Sequence, residues 1–231
     1  MTTTLITGAN KGLGFETARR LIEAGHTVYV GARDAHRGRT AAERLGARFV
    51  QLDVTDEDSA KAAAEFVRAD AGHLDILVNN AGIVGARKPV GEVTGADMMT
   101  TYDTNVFGAV RVTHAFLPLL EASDAPVVVN VSSGLGSLAA CADPSRVEFQ
   151  VTVLDYNSSK TALVMVTSQY AKAFPAIRFN AVDPGYTATD LNGHRGTQTI
   201  EEGAEIIVRM ASIGADGPTG GFFDRTGPVI W

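Results

Sequence analysis

The stretch Leu5-Ile-Thr-Gly-Ala-Asn-Lys-Gly-Leu-Gly14 decides how this chain folds. A short apolar run enters three glycines, Gly8, Gly12 and Gly14, and a helix-period segment follows. A strand that turns through glycines into a helix aims backbone N–H groups and the positive end of a helix dipole at one point, where a pyrophosphate can sit. The spacing Gly-x3-Gly-x-Gly is not the G-x-G-x-x-G dinucleotide fingerprint. By itself the loop reads equally as a phosphate cradle or as tight packing of a helix on a strand.

Downstream the same alternation repeats. Apolar runs at 3–7, 27–32, 48–52, 76–79, 127–131 and 178–182, with a last one near 222–223 or 229–230, read as strands. Helix-period segments fall at 12–24, 35–45, 56–71, 103–121, 154–173 and 200–211. Several strands are continuously Val, Ile and Leu, as a parallel sheet covered on both faces requires. The order predicts right-handed βαβ units in an α/β fold: one single-domain, Rossmann-type, doubly wound parallel sheet with helices on both faces. Residues 136–153 lack clean periodicity. Residues 190–199 are polar and glycine-rich and read as a loop at the carboxyl end of a strand, where such sheets bind ligands.

Composition narrows the function classes. The 231 residues are 45% hydrophobic, enough for a sizeable core, and 20 Lys plus Arg face 26 Asp plus Glu, a net charge of -6 without charge blocks. That balance argues against nucleic acid as a partner. Cys141 is the one cysteine, so no internal disulfide is possible, which fits a reducing compartment. No apolar run approaches the ~20 residues that span a bilayer. The first strand follows Met1 almost at once, with no room for a removable signal, so the expectation is a cytoplasmic protein with no membrane partner. The five histidines show no ligand spacing with Cys or acids, and no metal site is expected.

Two further positions bear on a dinucleotide. In such folds an acidic residue at the end of the second strand suits the ribose of NAD, whereas arginine suits the 2′-phosphate of NADP. Here the strand ends in Arg33, and Lys11 in the glycine loop is a second cation, so NADP is favoured although Asp34 follows at once. Asp53, after the third strand, could accept from an adenine amino group or simply shape the turn.

Tyr156 and Lys160 lie four residues apart on one helix face. A free phenol, with pKa ~10, is a poor proton exchanger at neutral pH. A nearby ammonium favours the phenolate and lowers that value. Alone, the pair reads more readily as a half-buried tyrosine beside a surface lysine.

In order along the chain stand Thr7-Gly-x3-Gly-x-Gly14, Asp53, Asn79-Asn-Ala-Gly82, Asn105, Val131-Ser-Ser133, Tyr156-x3-Lys160 and Pro184-Gly185. Together they resemble the short-chain dehydrogenase/reductase family from end to end. Ala9-Asn-Lys-Gly12, Gly31-Ala-Arg-Asp34, Gly185-Tyr-Thr-Ala-Thr-Asp190 and the tail ending at Trp231 are similar to its carbonyl reductase branch. The resemblance implies an NADPH-dependent reduction of a ketone, aldehyde or quinone. It implies Tyr156 as general acid, Lys160 as the group that lowers its pKa and binds the nicotinamide ribose, Ser133 as donor to the carbonyl oxygen, and Asn105 as holder of a relay water. Cofactor contacts would come from Gly8, Asn10, Lys11, Gly12, Leu13, Gly14, Arg33, Asp53, Val54, Asn80, Ala81, Gly82, Tyr156, Lys160, Pro184, Gly185, Thr187 and Thr189. Substrate would meet Ser133, Tyr156 and Tyr186. The 22 residues between Ser133 and Tyr156 exceed the usual family gap, a stretch that can obstruct helix-mediated oligomers, so monomer and homo-oligomer both stay open. A non-catalytic NADP-binding regulator on the same fold is the rival, and it has no chemical need for Asn105, Ser133, Tyr156 and Lys160 together.

Overall fold

A computed structural model describes residues 2–231. Seven parallel strands form one sheet in the order β3-β2-β1-β4-β5-β6-β7. They are β1 (Thr3–Thr7), β2 (Thr27–Ala32), β3 (Arg48–Gln51), β4 (Ile76–Asn79), β5 (Val127–Val131), β6 (Arg178–Val182) and β7 (Phe222–Phe223). The helices are α1 (Gly12–Glu23), α2 (Ala35–Leu45), α3 (Glu57–Ala71), α4 (Gly95–Tyr102), α5 (Gly108–Glu121), α6 (Leu138–Ala142), α7 (Leu154–Ala173) and α8 (Ile200–Ala211). The doubly wound parallel sheet expected from the pattern is present, with helices on both faces.

Successive strand residues serve opposite layers. Leu5 and Leu77 pack with Ala60 and Val67 of α3, Val112 and Phe116 of α5, and Phe179. Ile6 and Val78 pack with Leu21 of α1, Ala41 of α2, and Ile206 and Met210 of α8. Burying a Leu or Ile side chain fully is worth roughly 1.5–3 kcal/mol. Strands apolar on both faces are therefore held by two cores at once.

The chain leaves β1 toward β2 and β3, then returns to place β4 on the other flank of β1. That reversal opens a crevice at the carboxyl ends of β1 and β4, where ligands of such sheets bind. It also sets Gly8, just past β1, beside Asn80, just past β4.

One expected helix divides. The segment read as 103–121 starts earlier, as α4, and passes through a π-turn over Asp103–Phe107 into α5. A wide turn displaces one residue from the 3.6 period, and Thr94 caps α4 through a reciprocal bond pair with Asp97. The extra stretch between Ser133 and Tyr156 forms α6 and a 3-10 turn at Val147–Gln150. Among the described residues no helix is long and apolar enough to cross a membrane.

Candidate active site

The turn after β1 is fixed by backbone needs. Gly8 and Gly12 are left-handed, with φ of 64° and 57°. Gly14 permits close approach: a methyl there would lie 2.5 Å from Asn80 Nδ2 and 2.9 Å from Ala9 Cα. Asn80 Nδ2 donates to the Thr7 and Gly8 carbonyls at 2.8 and 3.3 Å. The Thr7 hydroxyl accepts from the Asn80 and Ala81 N–H groups, each at 3.0 Å. The turn after β4 thus clamps the glycine turn.

α1 starts with no side chain capping its N–H groups and no acidic residue in its first turn. Asp34, Asp56, Thr94 and Thr199 cap α2, α3, α4 and α8. The uncapped donors of α1 and its dipole therefore suit an anion.

A cavity of about 740 Å³ runs from this turn across the strand ends. Gly8, Asn10, Lys11, Gly12 and Leu13 line it, as do Arg33, Asp53 and Val54. Asn80, Ala81 and Gly82 line it after β4, and Tyr156, Lys160, Pro184 and Thr189 contribute further wall. Gly14, Asn105, Ser133, Gly185, Thr187 and Tyr186 do not line it. Gly14 packs instead against Asn80. Thr187 is buried and donates to the Pro184 carbonyl at 3.1 Å. Tyr186 is exposed.

Near Arg33 the sequence reading missed a cation. Arg37 also lines the cavity, one turn into α2. The signal was available: an arginine four residues past Arg33, in the first turn of the next helix. Asp34 is occupied, accepting from Arg37 N–H at 3.0 Å and lying 3.7 Å from Arg37 Nε. The Arg37 N–H bond holds its carboxyl below the usual range. Asp53 accepts from the Thr55 N–H and hydroxyl at 3.0 and 2.8 Å, so it does shape the turn. Lys11 pairs with Asp190 at 2.6 Å, both groups being exposed.

At the other end α7 presents Tyr156 and Lys160 on one face. Lys160 is 4% exposed. Its Nζ donates to the Val131 carbonyl at 2.8 Å and sits 5.6 Å from the Tyr156 ring centre. Burial lowers the Lys160 ammonium to about 8. Burial also pushes the Tyr156 phenol up to about 12, opposed by a hydrogen bond with Ser133 and reinforced by the Asp183 charge. The expected lowering of Tyr156 by Lys160 is thus not what governs the phenol here. Desolvation is the largest influence on it, and the ammonium is directed at the Val131 carbonyl.

The two serines part company. Ser132 is buried, and its hydroxyl donates to the Lys160 carbonyl at 3.0 Å, tying β5 to α7. Ser133 is the one that meets the phenol. Asn105, 1% exposed, sits in the π-turn. Its amide donates to the Ile83 carbonyl and the Ser159 hydroxyl at 2.9 Å, and its oxygen accepts from Ile83 N–H at 2.9 Å. A methyl on Gly82 would lie 3.4 Å from Asn105 Oδ1 and 3.5 Å from Lys160 Nζ, so the three meet after β4.

A nucleotide-sized cleft joins an anion-suited helix end to a Ser–Tyr–Lys cluster in which Lys160 is buried and Ser133 and Tyr156 are half-buried. The family model for short chain dehydrogenase matches residues 2–199. The chain belongs to the short-chain dehydrogenase/reductase family, and it is an oxidoreductase. It is 32% identical to (+)-neomenthol dehydrogenase of Capsicum annuum, over 96% of this chain and 95% of that one. Salutaridine reductase from Papaver somniferum superposes with a TM-score of 0.86 at 29% identity, covering 97% of this chain and all of the other. NADPH-bound carbonyl reductase from chicken fatty liver superposes with a TM-score of 0.88 at 26% identity, covering 100% and 99%.

Proposed function

We propose that this enzyme reduces a ketone, aldehyde or quinone with NADPH, Tyr156 serving as the proton donor. The observation that carries this reading is the half-buried phenol of Tyr156, hydrogen-bonded to Ser133 and near the buried Lys160, on a cleft that continues to the uncapped end of α1.

The residues present fit a dinucleotide. The glycine turn offers backbone where side chains would intrude, and the first N–H groups of α1 suit a pyrophosphate. Arg33 and Arg37 suit a 2′-phosphate, and Asp34, engaged as the cap of α2, is less available to a ribose hydroxyl. Asn10, Leu13, Val54, Ala81, Pro184 and Thr189 would complete its walls. When bound, the nicotinamide supplies a hydride to the carbonyl carbon.

The chain's own residues manage the oxygen and the proton. A phenol near 12 is protonated at neutral pH and is a reservoir for one proton. Ser133 donates to the carbonyl oxygen as negative charge grows there. Tyr156 then releases its proton to that oxygen. Lys160, cationic below about 8, stabilises the phenolate left behind. Asn105, with its side chain spent on Ile83 and Ser159, holds the π-turn against Lys160 and would support the water that returns a proton. Tyr186 would border the substrate.

The test follows NADPH absorbance with a panel of aldehydes, ketones and quinones, beside fluorescence titrations of NADPH and NADH. Turnover and tighter binding of NADPH than of NADH are expected. Tight NADPH binding with no turnover of any member would count against it.

A further inference from the structure

Asp155 immediately precedes Tyr156, and the mechanism above gives it no task. It is 1% exposed. Its carboxylate nevertheless has three donors. Oδ2 accepts from the Ala86 N–H at 2.9 Å and from the Thr101 hydroxyl at 2.7 Å, and Oδ1 accepts from the Tyr156 N–H at 3.0 Å. These donors belong to three elements: the loop after β4, α4, and the first turn of α7. A buried carboxylate is costly unless fully bonded. Here the three N–H and O–H groups, with the positive end of α7, meet that cost.

Gly85 is built for this clamp. Its φ is 84°, and any side chain there would overlap Asp155 Oδ2 and Thr101 Oγ1. Two residues on, Arg87 is also left-handed, with φ of 50°, a conformation that side-chain-bearing residues adopt seldom. Its guanidinium lines the cavity and donates to the Leu191 carbonyl on the opposite rim. Lys11 ties that same rim to the glycine turn through Asp190. Val84, Arg87 and Leu191 all face the cavity that Tyr156 lines.

We propose that Asp155 is a positioning residue for substrate. By fixing the backbone of Gly85 and Ala86, it aims Arg87 across the cleft to Leu191 and sets both rim loops at a constant distance from Tyr156. The carboxylate touches no reacting atom. It determines where a carbonyl substrate is held relative to the phenol. The kinetic half of the test rests on the proposed carbonyl reduction. The exchange half does not.

Three variants are compared with wild type: Asp155→Asn, Gly85→Ala and Arg87→Ala. Asparagine keeps the shape but faces donors with an amide N–H. One lost bond of this kind corresponds to about a tenfold effect. For Asp155→Asn and Gly85→Ala, the carbonyl KM should rise about tenfold, with kcat within about threefold and the NADPH Kd within about twofold. Hydrogen–deuterium exchange should accelerate in both 83–94 and 186–199. Arg87→Ala, an exposed position that tolerates truncation, should loosen 186–199 and leave the Ala86 amide protected. That order of effects separates a directed clamp from general loss of structure. Unchanged KM and unchanged exchange in Asp155→Asn would overturn the proposal. So would equal weakening of NADPH binding and of carbonyl KM, or Arg87→Ala exposing Ala86 while leaving 186–199 unaltered. If wild type turns over no carbonyl, the proposed reaction fails while the exchange pattern still decides the clamp.

Discussion

Replacing Lys160 with methionine tests the energetics of the site through stability alone. Burial lowers the ammonium from 10.5 to about 8. Between those values the unfolded chain holds a proton that the folded chain has released. Stability therefore rises with pH across this window. The burial penalty is fully present below about pH 8 and is relieved as pH climbs toward 10.5. The size follows from 10.5 - 8 = 2.5, at ~1.36 kcal/mol for each, or about 3 kcal/mol in all. Lys160→Met also removes the donor to the Val131 carbonyl, an offset of ~1 kcal/mol that does not vary with pH. Slope, not height, is therefore the readout. Other groups contribute to the raw profile: the phenols of Tyr29, Tyr156 and Tyr170 and the Cys141 thiol are raised and lower stability at alkaline pH. Subtracting the variant's profile from that of wild type cancels the groups remote from Lys160, and Tyr156, its neighbour, acts mainly above the window of the test. Urea unfolding from pH 7 to 10.5 should give a difference that climbs by about 3 kcal/mol. Parallel profiles would refute the claim that Lys160 is held in a desolvated site.

Other consequences are as direct. Arg33→Asp should weaken NADPH by about tenfold or more and NADH little, because a 2′-phosphate would meet a like charge; equal losses in isothermal titrations would sink the NADP assignment. Ser132→Ala should lower the urea-derived stability by about 1 kcal/mol through the lost bond to the Lys160 carbonyl, with kcat nearly intact. Ser133→Ala should do the reverse, cutting kcat by about a hundredfold with little change in stability, and matching losses in the two variants would contradict the division of labour. Gly14→Ala puts a methyl 2.5 Å from Asn80 Nδ2 and should cost ~1–3 kcal/mol together with NADPH affinity; unchanged melting and binding would show that the clamp is slack.

How much of this was written in the chain varies with the kind of signal. β1, β2, β4, β5 and β6 coincide with the apolar runs, because strands buried on both faces carry apolar residues at most positions rather than at every second one. α2, α7 and α8 match the periodic segments as well. α4 was missed because it is short and exposed along much of its length, and the π-turn after it breaks the period. The glycine turn and the Tyr156–Lys160 face were legible because their geometry is local. Arg87 and Asp155 were not. Their meaning lies in contacts across 104 and 69 residues of chain, which no spacing encodes. The upward push on the Tyr156 phenol was not legible for a similar reason: desolvation is a property of the whole fold, not of the spacing to Lys160.

The most direct test of the central claim compares wild type with Tyr156→Phe, at saturating NADPH, on the best carbonyl substrate of the panel. The change removes one hydroxyl and nothing else. NADPH should bind the variant about as tightly as wild type, while kcat falls by about 10²–10⁴, the range for a lost general acid. A variant that turns over within about fivefold of wild type would contradict Tyr156 as the proton donor.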